Sequence, residues 1–553
     1  MKQRHLARKS APLAAAVIAL VLAVLASSPT NTAERAWVTL LSTTDVHGNI
    51  LPVDYYTDKA DPRGLAKVAS IVRQIRRENP AGTLLLSSGD TIQGTPLVYV
   101  HNRIGNASTD PMMLVMNAMG FDAMTVGNHE FNFGPVVFEK ARREARFPWL
   151  AANVYNTGTE QTHFTPYIVK EVNGARIGVL GLITPGVPFW EDKKNYSGLT
   201  FRDTVSEARK WVDVLRTRER VDLIVVPMHM GLEEDVITGV ADPGQVTDEN
   251  AALAIARDVP GVDVILMGHT HRDVSALSVN GVLLTQASMW GRHLARVDVV
   301  LEKDSGRWRV AAKQARTIPI ADSTPVDAEI AKLAEPYDRE TRAWLGRPIG
   351  ESSAELTVDL FRDTALIDLI QRAQMEEGHA DVSMTAVFNP AARLRKGAVT
   401  VRDIASLYVY ENTLVVIEVT GRQLKEALEH SARFFVTYVP GKTAAELVDR
   451  RVPTYNFDVA EGVDYTLDIT KPAGQRIIDL RFRGQRVTPS QKFRLATNNY
   501  RVNGGGGYTM YAGAPELYRS SQEIRELIIE WVEKHHEVPA SPTNNWRLIS
   551  STR

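Results

Sequence analysis

Five stretches of the chain share one pattern, an apolar, β-prone run that ends in a turn of His, Asp, Asn and Gly. They are WVTLLSTTDVHGN, GTLLLSSGDTIQG, FDAMTVGNHEFN, VDLIVVPMHMG and GVDVILMGHTH. Continuous apolar runs mark strands buried on both faces. Helical patterns such as GLAKVASIVRQIRREN and DTVSEARKWVDVLRTRER lie between several of them. The alternation predicts a layered α/β domain. Its polar turns then gather at the carboxyl ends of the strands, where such sheets hold their ligands.

Those turns supply Asp45 and His47, Asp90, Asn128 and His129, His229, and finally His269 and His271. Residues two apart on an extended chain face the same side, so Asp45/His47 and His269/His271 can each aim two groups at one point. The chain has no cysteine, so thiol chemistry, disulfides and sulfur ligation are excluded. An oxygen and imidazole set suits Zn, Mn, Fe or Co better than a structural zinc cage. Even seven ligands drawn from this set are too many for one ion and fit a pair. Taken singly, each motif is an ordinary surface turn or a satisfied core histidine. Five in order, each closing a strand, point to a dimetal centre.

The pattern stops near residue 315. A stretch rich in Pro, Asp and charge follows, reading as a linker over 316–349 with one helix from Asp327 to about Leu345. Residues 34–315 then form one domain and 350–553 a second, which mixes helices (LFRDTALIDLIQRAQ, GRQLKEALEHSARFF) with strands (TLVVIEVTG, RIIDLRFRG, KFRLATNNY). Residues 1–33 read as a signal peptide: Lys2, Arg4, Arg8 and Lys9, then an apolar run from Leu13 to Ala26, then small residues. The apolar run is short for a span of about 20 residues, so cleavage without a stable membrane anchor is expected. The export route is periplasmic or secreted. The formal charge is −1, so no basic surface advertises a nucleic-acid polymer.

The ordered series DVHGN, GDTIQG, GNHEFN, MHMG and GHTH resembles the 5′-nucleotidase family of calcineurin-like metallophosphoesterases, over nearly the whole chain after the leader. The resemblance implies an N-terminal layered α/β/β/α metallophosphatase sandwich and a C-terminal mixed α/β nucleotide-binding domain. It implies two divalent ions, Zn, Mn, Co or Fe. One would be held by Asp45, His47, Asp90 and His271, the other by Asp90, Asn128, His229 and His269, with Asp90 bridging. It makes His129 the catalytic histidine that contacts the phosphate and steadies transition-state charge. Glu130 reads as structural. Asn132 stands where relatives carry Asp; it can orient His129 by a hydrogen bond but brings no charge.

In the second domain the resemblance implies two aromatic rings that sandwich a base, since every base offers a π face. NNYRVNGGGGY supplies Tyr500. The other ring is Tyr455 or Phe457, or Tyr408 or Tyr410. Arg362, on the helix LFRDTALIDLI, matches a substrate-contacting position. The four glycines from Gly504 lack the helix that a P-loop needs, and read as a turn near the base. DYYTDKAD, GNHEFN and YNFDVAEGVDY with TNNYR resemble the 2′,3′-cyclic-nucleotide 2′-phosphodiesterase/3′-nucleotidase branch. FNPAARLRKG departs from the usual NGGGIR, leaving Asn389, Arg393 and Arg395 as ribose or phosphate candidates. The alternatives are a 5′-nucleotidase or nucleotide-sugar hydrolase, a dimetal enzyme acting on a sulfur compound, or an inactive secreted nucleotide-binding protein.

Overall fold

A computed structural model describes residues 34–550, apart from 106–107, 235, 237–238, 240–247 and 411. The expected signal peptide lies outside the described residues. No helix among them is long and apolar enough to cross a membrane.

Two sheets stack in the first half of the chain. One runs in the order Arg307–Pro319, His293–Asp304, Arg35–Thr43, Thr83–Ser87, Ala123–Thr125, Trp149–Leu150. The other runs Asp273–Val279, Val282–Ala287, Val264–Met267, Leu223–His229, Ala175–Leu180, Tyr167–Val172, with Leu182–Ile183 beside Leu223–His229. Side chains alternate between faces. Leu40, Leu84, Leu86, Val225 and Leu266 fill the space between the sheets. Leu41 and Leu85 pack outward with Val68 and Met112 of the helices Leu65–Glu78 and Pro111–Met119. Ile224, Val226 and Ile265 pack outward on the other side with Ala208, Val212 and Ile255. Burial on both faces is why these strands read as continuous apolar runs. The result is the expected α/β/β/α sandwich.

The first sheet reaches Pro319, past residue 315. Proline is tolerated there because that strand lies at a sheet edge and ends at the proline. The helix Ala328–Leu345 follows, with Asp327 as its N-cap: its carboxylate accepts from Glu329 N at 3.1 Å and Ile330 N at 3.2 Å.

The rest of the chain holds a five-stranded sheet in the order Asp458–Glu461, Val382–Ala386, Lys492–Asn498, Thr413–Thr420, Glu516–Glu523. A four-stranded sheet, Gln485–Arg486, Ile477–Phe482, Asp464–Asp468 and Trp546–Ile549, lies beside it. The helices Ala365–Gly378, Gly421–Ser431 and Ile524–His535 complete it. The two halves touch near the first sandwich's ligand-bearing edge. Arg519 pairs with Asp192 at 3.1 Å, Asn499 Nδ2 donates to Trp190 O at 3.4 Å, and Tyr99 donates to Glu526.

Candidate metal centre

The residues named from the strand ends meet at one point. Asp45 and His47 follow the strand Arg35–Thr43, Asp90 follows Thr83–Ser87, and Asn128 opens the turn after Ala123–Thr125. His229 ends Leu223–His229; His269 and His271 follow Val264–Met267. Ligand atoms of Asp45, His47 and His271 lie within 4.8 Å of one another, as do those of Asp90, His229 and His269. Asp90 Oδ2 links the groups, 3.0 Å from His229 Nε2 and 3.7 Å from His47 Nε2. Asn128 Oδ1 stands 3.0 Å from His229 Nε2.

Three observations fit this cluster to cations. First, the donor set is two carboxylates, four imidazoles and one amide oxygen, the chemistry of borderline divalent ions. Second, His229 Nδ1 donates to Ser88 O at 2.7 Å, and His47 Nδ1 lies 3.2 Å from Gln93 O. Carbonyls only accept, so in both rings Nδ1 carries hydrogen and Nε2 faces the cluster. Third, the Nε2 atoms of His47 and His271 are 3.1 Å apart. Two lone pairs that close need a proton or a cation between them.

The charges agree. Burial works against ionising Asp90, but His229, His129 and His47 outweigh it and hold the carboxyl well below the usual range. Burial likewise disfavours a charged His229, yet Asp90 pushes its imidazole up to about 9. A bound cation takes the place of such a proton.

The backbone is shaped for the cluster. Asp45, His47, Asp90, His269 and His271 all have positive φ, between 48° and 71°, a conformation L residues avoid. Glu130 is buried and accepts the N–H groups of Asp90, Thr91, Ile92 and Gly127 at 3.0, 2.5, 3.2 and 2.6 Å, tying the Asp90 turn to the Asn128 turn. Gly127 has no alternative, because a Cβ there would stand 2.2 Å from Asp90 Oδ1.

His129 is half-buried, its ring 5.2 Å from that of His47. Asn132 Oδ1 lies 2.6 Å from His129 Nδ1, and Asn132 Nδ2 donates to Glu191 Oε2 at 2.7 Å. Beside them, a polar cavity of about 300 Å³ between the two halves is lined by Arg103, Asn132, Glu191, Asn195 and Asn499 among others.

Tyr500, Tyr455 and Tyr410 are 38%, 40% and 42% exposed, whereas Phe457 and Tyr408 are buried at 1% and 0%. The Tyr410 and Tyr455 rings lie 6.2 Å apart, and Tyr500 lies within electrostatic range of both. Tyr500 also lies within electrostatic range of Glu249, which is 2.9 Å from His269 Nε2. The glycine run has a packing role: a Cβ on Gly505 would run into the Tyr500 ring at 2.5 Å. Arg501 is the buried hub beneath, paired with Asp458 at 2.8 Å and bonded to Asn456 Oδ1, Gly505 O and Tyr455 O.

Arg362 departs from its expected place. It precedes the helix, which begins only at Ala365 after the N-cap Thr364. Its side chain is 73% exposed, pairs with Asp359 at 2.9 Å and lines a groove with Trp546 and Arg547. No hydrogen bond or ring contact joins it to the tyrosines among the described residues. Asn389 is spent on its own turn, donating to Ser406 O at 2.7 Å and accepting from Ala391 N at 3.1 Å.

Residues 38–273 match the model of the calcineurin-like phosphoesterases, and 348–513 that of the 5′-nucleotidase C-terminal domain. The chain is 31% identical to a 2′,3′-cyclic-nucleotide 2′-phosphodiesterase/3′-nucleotidase of Salmonella typhimurium, over 96% of this chain and 91% of that one. The chain belongs to the 5′-nucleotidase family of calcineurin-like phosphoesterases. A 5′-nucleotidase of Vibrio vulnificus is 26% identical over 97% of this chain and 98% of its own. The crystal structure of a candidate 5′-nucleotidase from Staphylococcus aureus, in complex with α-ketoglutarate, superposes with a TM-score of 0.79. It is 27% identical, over 93% of this chain and all of that one.

Within this calcineurin-like phosphoesterase, sequence reading passed over Gln93 behind His47, Glu249 behind His269, and Trp190, whose ring is 5.4 Å from that of His269. Glu191 and Arg501 were also missed. None carries a local signal. Only the H-x-x-N spacing in GNHEFN hinted that something stands behind His129.

Proposed function

We propose that this hydrolase is an exported dimetal enzyme that opens 2′,3′-cyclic nucleotides to 3′-nucleotides and then releases phosphate and nucleoside. The observation that carries the reading is the pairing of two three-residue ligand groups across Asp90, in a chain whose second half exposes three tyrosines. Near-full-length similarity to the Salmonella enzyme supports the cyclic substrate.

Asp45, His47, Asp90 and His271 would hold one ion, and Asp90, Asn128, His229 and His269 the other. When bound, such a pair draws charge from a phosphoryl group and makes water a nucleophile at neutral pH. The chain's own residues do the rest. Tyr500 stacks on one face of the base, and Tyr455 or Tyr410 closes the other. His129 sits beside the cluster to hydrogen-bond a phosphoryl oxygen where negative charge builds. No protein nucleophile is required.

Hydrolysis of 2′,3′-cyclic AMP, 3′-AMP and 5′-AMP by the purified protein, with and without a chelator, tests the reading. Chelator-sensitive turnover of the first two is expected. A strong preference for 5′-AMP would favour the 5′-nucleotidase reading, which the Vibrio relative supports. Binding without turnover in the presence of added metal would favour an inactive binder.

A further inference from the structure

Asn132 alone cannot fix the imidazole of His129. A side-chain amide can turn either its oxygen or its nitrogen toward a neighbour, and the two faces make opposite demands. With Oδ1 toward the ring, Nδ1 donates. With Nδ2 toward the ring, Nδ1 must accept, and the ring changes tautomer and tilt. Something has to choose.

We propose that Glu191 makes the choice and is a positioning residue for His129. Its Oε2 lies 2.7 Å from Asn132 Nδ2. A carboxylate accepts and does not donate, so the amide nitrogen is drawn to Glu191 and Oδ1 is left facing His129 Nδ1 at 2.6 Å. Glu191 is itself held. Its Oε1 accepts from Asn195 Nδ2 and from the Asp192 N–H, both at 2.8 Å. Asn195 Nδ2 also reaches Asn132 O at 3.3 Å, fixing the backbone end of the same residue. The donors therefore run one way: Asn195 Nδ2 serves Glu191 Oε1 and Asn132 O, Asn132 Nδ2 serves Glu191 Oε2, and His129 Nδ1 serves Asn132 Oδ1. The segment is braced from the second half of the molecule, through Asp192 to Arg519 and Trp190 O to Asn499. The inference rests on His129 serving the reaction.

An acid–amide exchange tests it. Glu191→Ala removes the acceptor and frees the amide. Asn132→Asp sets two carboxylates against each other. Asn132→Asp with Glu191→Gln swaps the groups and restores each donor to an acceptor. The carboxylate introduced at position 132 accepts both the His129 Nδ1–H and the N–H of the amide introduced at position 191. The oxygen of that amide still accepts from Asn195 and the Asp192 N–H. The readouts are kcat and KM on 2′,3′-cyclic AMP, metal content, and the His129 Nδ1–H signal in 15N-histidine-labelled, metal-free protein, assigned by its loss in His129→Asn. Each single variant is expected to lose about tenfold or more in kcat, with KM and metal content unchanged and the Nδ1–H signal lost in Glu191→Ala. The swap should return kcat to within about threefold and restore the signal. Wild-type kcat in both single variants, or a swap no better than Asn132→Asp, overturns the proposal. A His129→Ala variant with wild-type turnover would instead overturn the reading of the site itself.

Discussion

Replacing Arg501 by Met separates two roles that the buried hub combines. Arg501 is 1% exposed and Asp458 3%. The guanidinium meets Asp458 twice, at 3.0 and 2.8 Å, and also holds Asn456, Gly505 and the Tyr455 carbonyl. Arg501→Met strands the Asp458 carboxylate in the interior, which costs about 3–5 kcal/mol for one broken member of a buried pair. Arg501→Met with Asp458→Leu removes the stranded charge and should recover most of that loss. The carbonyls of Tyr455 and Gly505 remain untethered in both variants, so the tyrosines lose their placement in both. One base stack contributes about 1–3 kcal/mol, so KM for 2′,3′-cyclic AMP should rise about 5- to 150-fold in single and double variants alike. Hydrogen exchange over residues 492–498 reads the local opening free energy, and steady-state kinetics read KM. If KM recovers together with stability in the double variant, the tethering argument is wrong. A loss below about 1 kcal/mol in Arg501→Met would remove the buried-charge argument as well.

Asp90 touches both ligand groups, so Asp90→Asn should abolish turnover and lower bound metal measured by elemental analysis; wild-type activity would sink the shared-ligand idea. Adding Zn, Mn or Co to chelator-treated protein should raise its thermal midpoint, by about 2.7 kcal/mol of stability at a hundredfold excess over Kd; no shift with any of the three would count against the centre. Asp368 is buried, and burial together with Asp363 pushes its carboxyl to about 7. That value exceeds the ordinary one of about 3.9, so its contribution to stability is full below about pH 4, falls as pH rises toward about 7, and stays low above. Asp368→Asn, whose amide can donate to Asp363, should therefore raise the urea midpoint at pH 8 and change it little at pH 4.5; equal effects at both would refute the assignment.

The ligand cluster was legible because its residue types are rare at the ends of apolar runs, and a short run such as VDVILM, closed by Gly, reads as a buried strand. The same runs made a layered α/β domain readable; its doubling into α/β/β/α was implied by the family resemblance. The exposure of the tyrosines was only half legible. Tyr455 and Phe457 are two apart, and nothing local shows which is exposed; the turn Thr454–Asn456 leads into the strand Asp458–Glu461 and sends Phe457 inward against Phe434. Arg362 was read onto a helix because LFRDTALIDLI has helical spacing throughout, while the helix starts only after Thr364. Glu191 was invisible. It lies 59 residues from its partner Asn132, in the stretch EDKKN, where one of two adjacent acids marks nothing.

Five of the seven candidate ligands sit at positive φ. At such positions Gly is more comfortable than Asp or His, by about 1 kcal/mol or more per site. Mutation away from the working residue therefore relaxes the backbone and disperses packed polar groups at the same time. Evolution of this protein under selection for thermal endurance alone, without substrate or metal, would erode the centre first, and the survivors would be sturdier folds that had forgotten their chemistry.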